Sequence, residues 1–150
     1  MERISSFCAD HTKINPGIYK ARIDGDITTY DLRTRKPNAG DYMDNVTMHT
    51  FEHMFATYVR NCSIKERVIY FGPMGCQTGF YLLIRNADDE ETVRVIKEVL
   101  GMIVKHEGEV FGCSEIECGN YRSLELERAK KEAASYIEKL GEKTYVRYYE

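Results

Sequence analysis

The sequence predicts an α+β fold in which a mostly antiparallel sheet carries helices packed on one face. Three observations indicate this fold: short segments rich in β-branched and aromatic residues occur in pairs, turn residues separate the members of each pair, and longer amphipathic segments follow. Strands that precede or separate helices in this order are typical of α+β proteins. A chain of 150 residues has the usual size of one domain, so we expect residues 1–150 to form a single domain.

Two pairs of strands are expected. Residues 18–23 and 27–32 flank an Asp-Gly turn, and such a turn between two apolar segments is a strong signal for a β-hairpin. Residues 68–71 and 78–85 form the second pair, and a turn that contains glycine and proline separates them.

Three helices are expected, at residues 47–60, 88–106 and 123–140. In each of them apolar residues recur at intervals of three or four, which places them on one face of a helix. The acidic residues at 88–91 suit the positive end of a helix dipole, and Gly141 is expected to end the third helix. The residues expected to face the core are Phe51, Met54, Phe55 and Tyr58 in the first helix, Val93, Ile96, Leu100, Ile103 and Val104 in the second, and Leu126, Ala129, Ala133, Tyr136, Ile137 and Leu140 in the third.

The ends of two helices give further expectations. Thr47 or Asn45 is expected to cap the first helix, since either side-chain oxygen can accept a hydrogen bond from a first-turn amide. Lys105 and His106 suit the C-terminal turn of the second helix, where positive charge is favoured. We therefore expect His106 to be a surface residue without a functional role.

Composition and charge restrict the class of protein. The net charge of −3 and the lack of a long basic run give no reason to expect a nucleic-acid partner. No apolar run is long enough to cross a membrane, and the first residues lack the apolar core of a signal peptide. Five cysteines, an odd number in a chain without a secretory signal, indicate reduced thiols and a cytoplasmic location.

The first helix carries the strongest chemical pattern in the chain. His49 and His53 lie four residues apart, so their imidazoles share one face and are close enough to bind one metal ion. Glu52 lies beside them, and H-x-x-E-H is the signature of inverted zinc peptidases, in which the glutamate transfers protons. The alternative interpretation is a solvated helix face. A metal site would need a third ligand from elsewhere in the chain.

Residues outside this helix are candidates for the remaining chemistry. Cys118, in a loop with flanking glycine, and Cys113 are alternative third ligands, although their spacing matches no strong zinc signature. Cys76 follows a tight turn, and a thiol near a divalent metal loses its proton readily, which suits proton transfer; a buried structural cysteine is the alternative. His11 has the features of a surface residue, and Arg33 could pair with a substrate oxygen or simply end a strand.

Five segments together indicate a known family. They are Ser6-Phe7-Cys8-Ala9-Asp10-His11-Thr12, Tyr30-Asp31-Leu32-Arg33 with Pro37-Asn38, His49-Thr50-Phe51-Glu52-His53, Pro73-Met74-Gly75-Cys76-Gln77-Thr78-Gly79-Phe80-Tyr81 and Cys118-Gly119-Asn120-Tyr121. The combination of H-x-x-E-H with P-M-G-C-x-T-G and a downstream C-G is far more specific than any one motif. In order and spacing, these segments resemble the LuxS family, the S-ribosylhomocysteine lyases.

The resemblance implies a metal-dependent lyase that cleaves S-ribosylhomocysteine to homocysteine and 4,5-dihydroxy-2,3-pentanedione, the precursor of the autoinducer-2 signal. It implies that His49, His53 and Cys118 hold a ferrous ion, although two imidazoles and a thiolate also suit zinc or cobalt. By the same resemblance, Cys76 moves the carbon protons as a thiolate while a carbonyl migrates along the sugar. Glu52 handles the oxygen protons and the final β-elimination.

The resemblance also implies a single LuxS-like catalytic domain and a homodimer whose active sites lie at the subunit interface. Ser6, His11 and Arg33 would contact the substrate, and the N-terminal residues would reach the partner's site. One segment departs from the family pattern, because Tyr70-Phe71-Gly72 stands where family members usually have Asp-x-Ser. This segment is expected near the homocysteine end of the substrate, so Tyr70 could repack that pocket, weaken binding or shift the substrate preference.

Two alternative functions remain open. An inverted zinc peptidase would share the helix motif and take its third ligand from Glu115, Glu117 or Glu125, but it would have no use for Cys76. A catalytically silent metal-binding homologue would keep the fold and lose turnover, for example through the change at Tyr70.

Overall fold

A five-stranded sheet and three α-helices form the computed structural model, which describes residues 1–149. The elements are β1 (Gly17–Asp24), β2 (Ile27–Arg33), α1 (Asn45–Val59), β3 (Val68–Pro73), β4 (Gly79–Arg85), α2 (Asp89–Lys105), α3 (Leu126–Leu140) and β5 (Arg147–Tyr148). The α+β class expected from the sequence is confirmed. No helix within residues 1–149 combines the length and the apolar character that crossing a membrane requires.

The strand order across the sheet is β3-β4-β2-β1-β5. Antiparallel pairing joins β1 to β2, β2 to β4 and β3 to β4, whereas the short β5 runs parallel to β1. The turn between β1 and β2 contains Gly25 at a φ of 61°, a left-handed conformation that favours glycine. The sequence did not predict β5, because two exposed residues carry no periodic pattern.

One hydrophobic core joins strands β1 to β4 to all three helices, and four phenylalanines lie within it. The ring of Phe51 stacks on Phe80 with a centroid distance of 4.6 Å, and the ring of Phe55 stacks on Phe71 at 4.3 Å. All four side chains are buried. Because these rings attach α1 to β3 and β4, they set the rotation of the helix about its axis and leave its opposite face free of the core.

Burial alternates along β4, as expected for a strand with one face on the core. Phe80, Leu82 and Ile84 are buried, whereas Tyr81 and Leu83 are only partly buried on the other face. Together with the exposed Tyr70 of β3, these two residues line a cavity of about 440 Å³. This face of the sheet therefore presents aromatic and aliphatic side chains outside the core.

Asp44 caps α1, so the expectation that Thr47 or Asn45 is the cap is wrong. The Asp44 carboxylate accepts a hydrogen bond from the backbone amide of Thr47 at 2.7 Å, and the helix begins at Asn45. Aspartate caps a helix as well as asparagine or serine does. The hydrogen bond from Thr47 and the nearby charge of Arg128 hold the pKa of Asp44 below its ordinary value.

His106 is buried, so the expectation of a surface residue is also wrong. Its Nε2 donates to the carbonyl of Glu109 at 2.8 Å, and its Nδ1 lies 2.7 Å from the hydroxyl of Tyr58. The chain turns back directly after α2, which brings the imidazole against the rings of Tyr58 and Phe111. His106 therefore connects α1 to the loop that follows α2.

Helix α3 starts at Leu126, later than expected, and its inner face differs at two positions. Ile137 is 37% exposed, whereas Glu132 is only 4% exposed and pairs with Arg35 at 2.7 Å. This ion pair satisfies the carboxylate and lets a charged residue occupy the inner face. A pattern of apolar residues alone could not indicate such an exchange. Gly141 ends the helix, as expected, at a φ of 71°.

Replacing Phe51 with Ala should reduce the free energy of unfolding by about 3–5 kcal/mol, because the change removes a fully buried ring and leaves a cavity in the core. Urea denaturation measures this loss. Ile116→Ala is the control, since Ile116 is 98% exposed. Its truncation should change the free energy of unfolding by less than about 0.5 kcal/mol. Equal stability of the two variants would contradict this description of the core.

Candidate metal centre

Helix α1 places two imidazoles on the face opposite its phenylalanines. His49 and His53 are one turn apart, and their ring centroids lie 4.6 Å apart with the ring planes nearly perpendicular. Both side chains are partly exposed. The pair therefore lies on the part of α1 that the core does not use, where it meets the loop between α2 and α3.

Cys118, in that loop, supplies a third donor atom. Its Sγ lies 3.4 Å from Nε2 of His49 and 3.7 Å from Nε2 of His53. Bonds of about 2.0 Å to nitrogen and about 2.3 Å to sulfur, separated by a tetrahedral angle, would place the two atoms about 3.5 Å apart. All three donor atoms lie within 4.8 Å of one another, so their spacing suits a single tetrahedral metal ion.

Backbone carbonyls orient both imidazoles. Nδ1 of His49 donates to the carbonyl of Ser123 at 3.0 Å, and Nδ1 of His53 donates to the carbonyl of Phe111 at 2.8 Å. Because Nδ1 carries the proton in each neutral ring, Nε2 keeps a lone pair directed toward Cys118. Outer hydrogen bonds of this kind are usual for histidine ligands of metals.

The loop passes close to His53 of α1 at Gly112. Its φ of 69° lies in the left-handed region, and a Cβ there would lie 3.2 Å from Nδ1 of His53. A side chain at this position would strain the backbone and crowd the hydrogen bond between His53 and Phe111. In the same loop the amide of Asn120 donates to the sulfur of Cys118 at 3.4 Å, which helps to hold the sulfur in place.

These residues fit a bound metal ion. Two imidazoles and one thiolate leave a fourth position for water or substrate, which is typical of catalytic rather than structural sites. Within residues 1–149 the donor group contains Cys118 but not Cys113, and it contains no glutamate. The geometry therefore favours Cys118 as the third ligand, and it gives no support to the carboxylate ligand of a peptidase.

Glu52 lies on the same side of α1 as the two imidazoles. It is partly exposed and lines a cavity of about 400 Å³ together with His53 and Tyr70. Its carboxylate has no hydrogen-bonding partner in the described part of the chain. It is therefore available to accept or donate a proton to a molecule in this cavity.

A second cluster surrounds Cys76, which is exposed in the turn between β3 and β4. Its Sγ lies 3.1 Å from Oγ1 of Thr78 and 3.9 Å from Nη1 of Arg33. Arg33 is buried, and its Nε and Nη2 donate to the two oxygens of Asp31 at 3.1 Å and 2.6 Å. Burial acts to lower the pKa of Arg33, but the hydrogen bonds and charge of Asp31 outweigh it and raise the pKa above its ordinary value.

The two other candidate substrate contacts lie near the N-terminus. Ser6 belongs to a short 3-10 turn (Ser5–Phe7) and lines the cavity that contains Tyr70 and Tyr81. His11 is partly buried, and its Nδ1 lies 2.9 Å from the carbonyl of Ala9. Within residues 1–149, neither residue is hydrogen-bonded to a metal donor or to the Cys76 cluster.

The candidate site residues therefore form two separate groups. One contains His49, His53 and Cys118, and the other contains Arg33 and Cys76. In the part of the chain that the structure describes, no hydrogen bond connects the two groups. The first group has the donor atoms for a metal ion. The second group has an exposed thiol with a guanidinium beside it.

Sequence reasoning missed two side chains of the second group, Asp31 and Thr78. A signal was present for Asp31, because residues two apart in a strand point to the same side. Asp31 therefore shares a face of β2 with Arg33. Thr78 reaches Cys76 through the turn before β4, where Gln77 has a φ of 67°, and no periodic pattern predicts that contact. The carbonyls that orient the imidazoles also carry no sequence signal, since every residue has a carbonyl.

Comparison with known proteins identifies the family. A sequence model described as S-ribosylhomocysteinase (LuxS) matches residues 4–146. This chain belongs to the LuxS family. The matched range includes every member of the two groups, so the family assignment covers both the metal donors and Cys76.

Several relatives are named S-ribosylhomocysteine lyase. The protein from Desulfotalea psychrophila is 43% identical over 145 residues, which cover 91% of this chain and 90% of that protein. The protein from Borreliella afzelii is 42% identical over 147 residues, which cover 94% of each chain. The protein from Finegoldia magna is 44% identical over 142 residues, which cover 91% of this chain and 90% of that protein. These LuxS relatives thus match nearly the whole length of the chain.

Replacing Cys118 with Ala should abolish stoichiometric metal binding, because two imidazoles remain without the thiolate that completes the donor set. Elemental analysis after gel filtration of metal-loaded protein measures the bound metal. Cys113→Ala is the matched control from the same loop, and it should retain a full complement of metal. Metal loss from the Cys113 variant with retention in the Cys118 variant would overturn this choice of ligand.

Proposed function

We propose that this LuxS chain is a carbon–sulfur lyase that cleaves S-ribosylhomocysteine to homocysteine and 4,5-dihydroxy-2,3-pentanedione. The family match and the names of the relatives support this reaction. The structural observation that carries the proposal is the convergence of two imidazoles and a thiolate, with Glu52 on the same side of α1. The pentanedione is the precursor of autoinducer-2, so the reaction would supply that quorum-sensing signal.

The proposed reaction needs proton transfers at carbon and at oxygen. The carbon–sulfur bond can break by β-elimination only after the carbon that carries the sulfur lies β to a carbonyl. Each step of carbonyl migration removes a proton from a carbon next to a carbonyl and returns a proton to the neighbouring carbon. The leaving sulfur finally takes up a proton as the homocysteine thiol. One group for carbon protons and one for oxygen protons are therefore required.

We propose that His49, His53 and Cys118 hold a ferrous ion. Zinc or cobalt would suit the same donors, because ligand type alone does not select among these metals. When bound, a divalent metal supplies Lewis-acid stabilisation of the negative charge that develops on the substrate oxygens.

Cys76 would act as the group that moves carbon protons. The guanidinium of Arg33 lies 3.9 Å from its sulfur, and a fixed positive charge at that position stabilises a thiolate, the form that accepts a proton. The hydroxyl of Thr78, at 3.1 Å, adds a second polar contact to the sulfur. Exposure of Cys76 leaves the thiolate accessible to a substrate.

Glu52 would move the oxygen protons and assist the elimination. Its carboxylate faces the same cavity as His53, so it can reach a substrate held at the metal centre. The absence of hydrogen-bonding partners for this carboxylate within residues 1–149 leaves its oxygens free to exchange protons during the reaction.

Ser6, His11 and Arg33 are proposed as substrate contacts, and Tyr70 as the residue that shapes the homocysteine end of the pocket. Tyr70 lines both the cavity beside Glu52 and the cavity beside Ser6. Its phenol covers Gly72, where any Cβ would clash with the Tyr70 hydroxyl. The tyrosine and the glycine therefore form one packed unit in place of the usual Asp-x-Ser.

A homodimer with shared active sites would explain why no hydrogen bond connects the two groups within residues 1–149. The sheet face with Tyr70, Tyr81 and Leu83 presents apolar surface that a second subunit could cover. The Cys76 cluster of one chain would then complete the metal centre of the other, with N-terminal residues contributing to the partner's site.

We also propose that the chain forms one cytoplasmic domain with a mostly antiparallel sheet. The hydrophobic core that is formed within residues 1–149 supports one catalytic domain over residues 1–150. Antiparallel pairing of β1 to β4 supports a mostly antiparallel sheet with helices on one face. All five cysteines are free thiols, which supports a cytoplasmic location, because cytosolic thiols are kept reduced.

Protein reconstituted anaerobically with ferrous ion should release homocysteine thiol from S-ribosylhomocysteine, whereas Cys76→Ala should reduce the rate by about 100-fold or more through loss of the proton-transfer group. A colorimetric thiol assay measures the release. Cys62→Ala is the control, since Cys62 belongs to neither cluster and its loss should leave the rate nearly unchanged.

Failure of the metal-loaded wild-type protein to release thiol would contradict the lyase proposal. The catalytically silent homologue would then be favoured if the substrate still bound, and calorimetric titration with S-ribosylhomocysteine separates that case from loss of binding.

A further inference from the structure

The C-terminal tail reaches the cluster around Cys76. The phenolic hydroxyl of Tyr149 donates a hydrogen bond to Oδ2 of Asp31 at 2.6 Å. Asp31 is fully buried, and its two oxygens also accept the hydrogen bonds from Arg33. A continuous chain of polar contacts therefore runs from Tyr149 through Asp31 and Arg33 to the sulfur of Cys76.

Two contacts hold Tyr149 in place. Strand β5 pairs with β1, where Arg147 lies opposite Tyr19, and this pairing brings the tail alongside the sheet. The ring of Tyr149 then stacks on the ring of Tyr19 with a centroid distance of 5.6 Å. Burial, followed by the charge of Asp31, raises the pKa of Tyr149, so the phenol remains a neutral donor at physiological pH.

We propose that Tyr149 is a positioning residue of the active site, because its hydroxyl holds Asp31 in the orientation that directs Arg33 toward Cys76. This inference rests on the proposed function, in which Arg33 and Cys76 act on the substrate. Tyr149 lies outside residues 4–146, the range that the LuxS family model matches.

The hydroxyl of Tyr149 affects the orientation of Asp31, because Asp31 is a buried carboxylate that depends on its hydrogen-bond donors. Two nitrogens of Arg33 occupy one lone pair on each oxygen of Asp31, and Tyr149 occupies a further lone pair on Oδ2. Without the phenol, a buried charged acceptor would lose a partner, which is costly. Asp31 would then rotate or draw Arg33 closer.

Either response would weaken the positive potential at Cys76. Arg33 and Tyr81 are ionisable groups near the sulfur, and burial raises the pKa of Tyr81, which keeps that phenol neutral. Arg33 is thus the positive group that acts on the thiol, and Asp31 opposes it. A less compensated Asp31 would therefore make the environment of the Cys76 sulfur more negative and slow its reaction with an electrophile.

Tyr149→Phe in the full-length, metal-loaded protein tests this inference, because the variant keeps the ring that stacks on Tyr19 and loses only the hydroxyl. The rate of alkylation of Cys76 by iodoacetamide, followed by mass spectrometry of the peptide that contains it, should fall by about five- to tenfold. The value of kcat for thiol release should fall by a similar factor, with a smaller change in KM.

Tyr145→Phe is the matched control from the same tail. Tyr145 is 70% exposed, and its hydroxyl makes no hydrogen bond within residues 1–149, so its loss should leave the alkylation rate and kcat unchanged. A purely structural role for Tyr149 predicts a lower melting temperature with wild-type alkylation and kcat for the folded protein. That result would overturn the proposal.

The two readouts separate this proposal from the proposed function. Alkylation of Cys76 requires no turnover, so a slower alkylation in Tyr149→Phe would support the positioning role even if the wild-type protein released no thiol. Conversely, active wild-type lyase with identical alkylation rates in both proteins would refute the role of Tyr149 and leave the lyase function intact.

Discussion

The stacking of α1 on the sheet is the contact on which the candidate metal centre depends. Phe51 and Phe55 pack on Phe80 and Phe71 at centroid distances of 4.6 Å and 4.3 Å, and the helical period then directs the histidines away from the core. Rotation of α1 would open a cavity among closely packed rings, which is energetically costly. Two of the three donors therefore stand on a rigid element, and only the loop that carries Cys118 has to close over them.

Hydrogen bonds to buried or backbone groups position the side chains of both clusters. Carbonyls of the loop after α2 orient the imidazoles, whereas the buried carboxylate of Asp31 orients Arg33 beside Cys76. In the proposed function, a metal at the first cluster would stabilise charge and the thiol of the second would move protons, and the reaction requires both at one substrate. No hydrogen bond within residues 1–149 joins the clusters, and we therefore propose that two subunits combine them.

Local patterns in the sequence predicted most of the fold and the core of the site. The period of α1 and the H-x-x-E-H spacing indicated which residues share its outer face, and strand pairs at Gly-containing turns indicated the main part of the sheet. Contacts between distant residues could not be predicted in this way. Glu132 lies 97 residues from Arg35, and Tyr149 lies 118 residues from Asp31. No local period relates such partners, so the buried glutamate of α3 and the role of the tail became visible only in three dimensions.

Mixed dimers provide the sharpest test of a site shared between two subunits. Glu52→Gln and Cys76→Ala should each be inactive alone, and co-refolding equal amounts should restore thiol release. In a two-fold dimer with shared sites, half of the dimers would be mixed and each would contain one intact site, so about one quarter of the wild-type activity is expected. No activity in verified mixed dimers would contradict a shared site, because it would mean that Glu52 and Cys76 must act from the same chain.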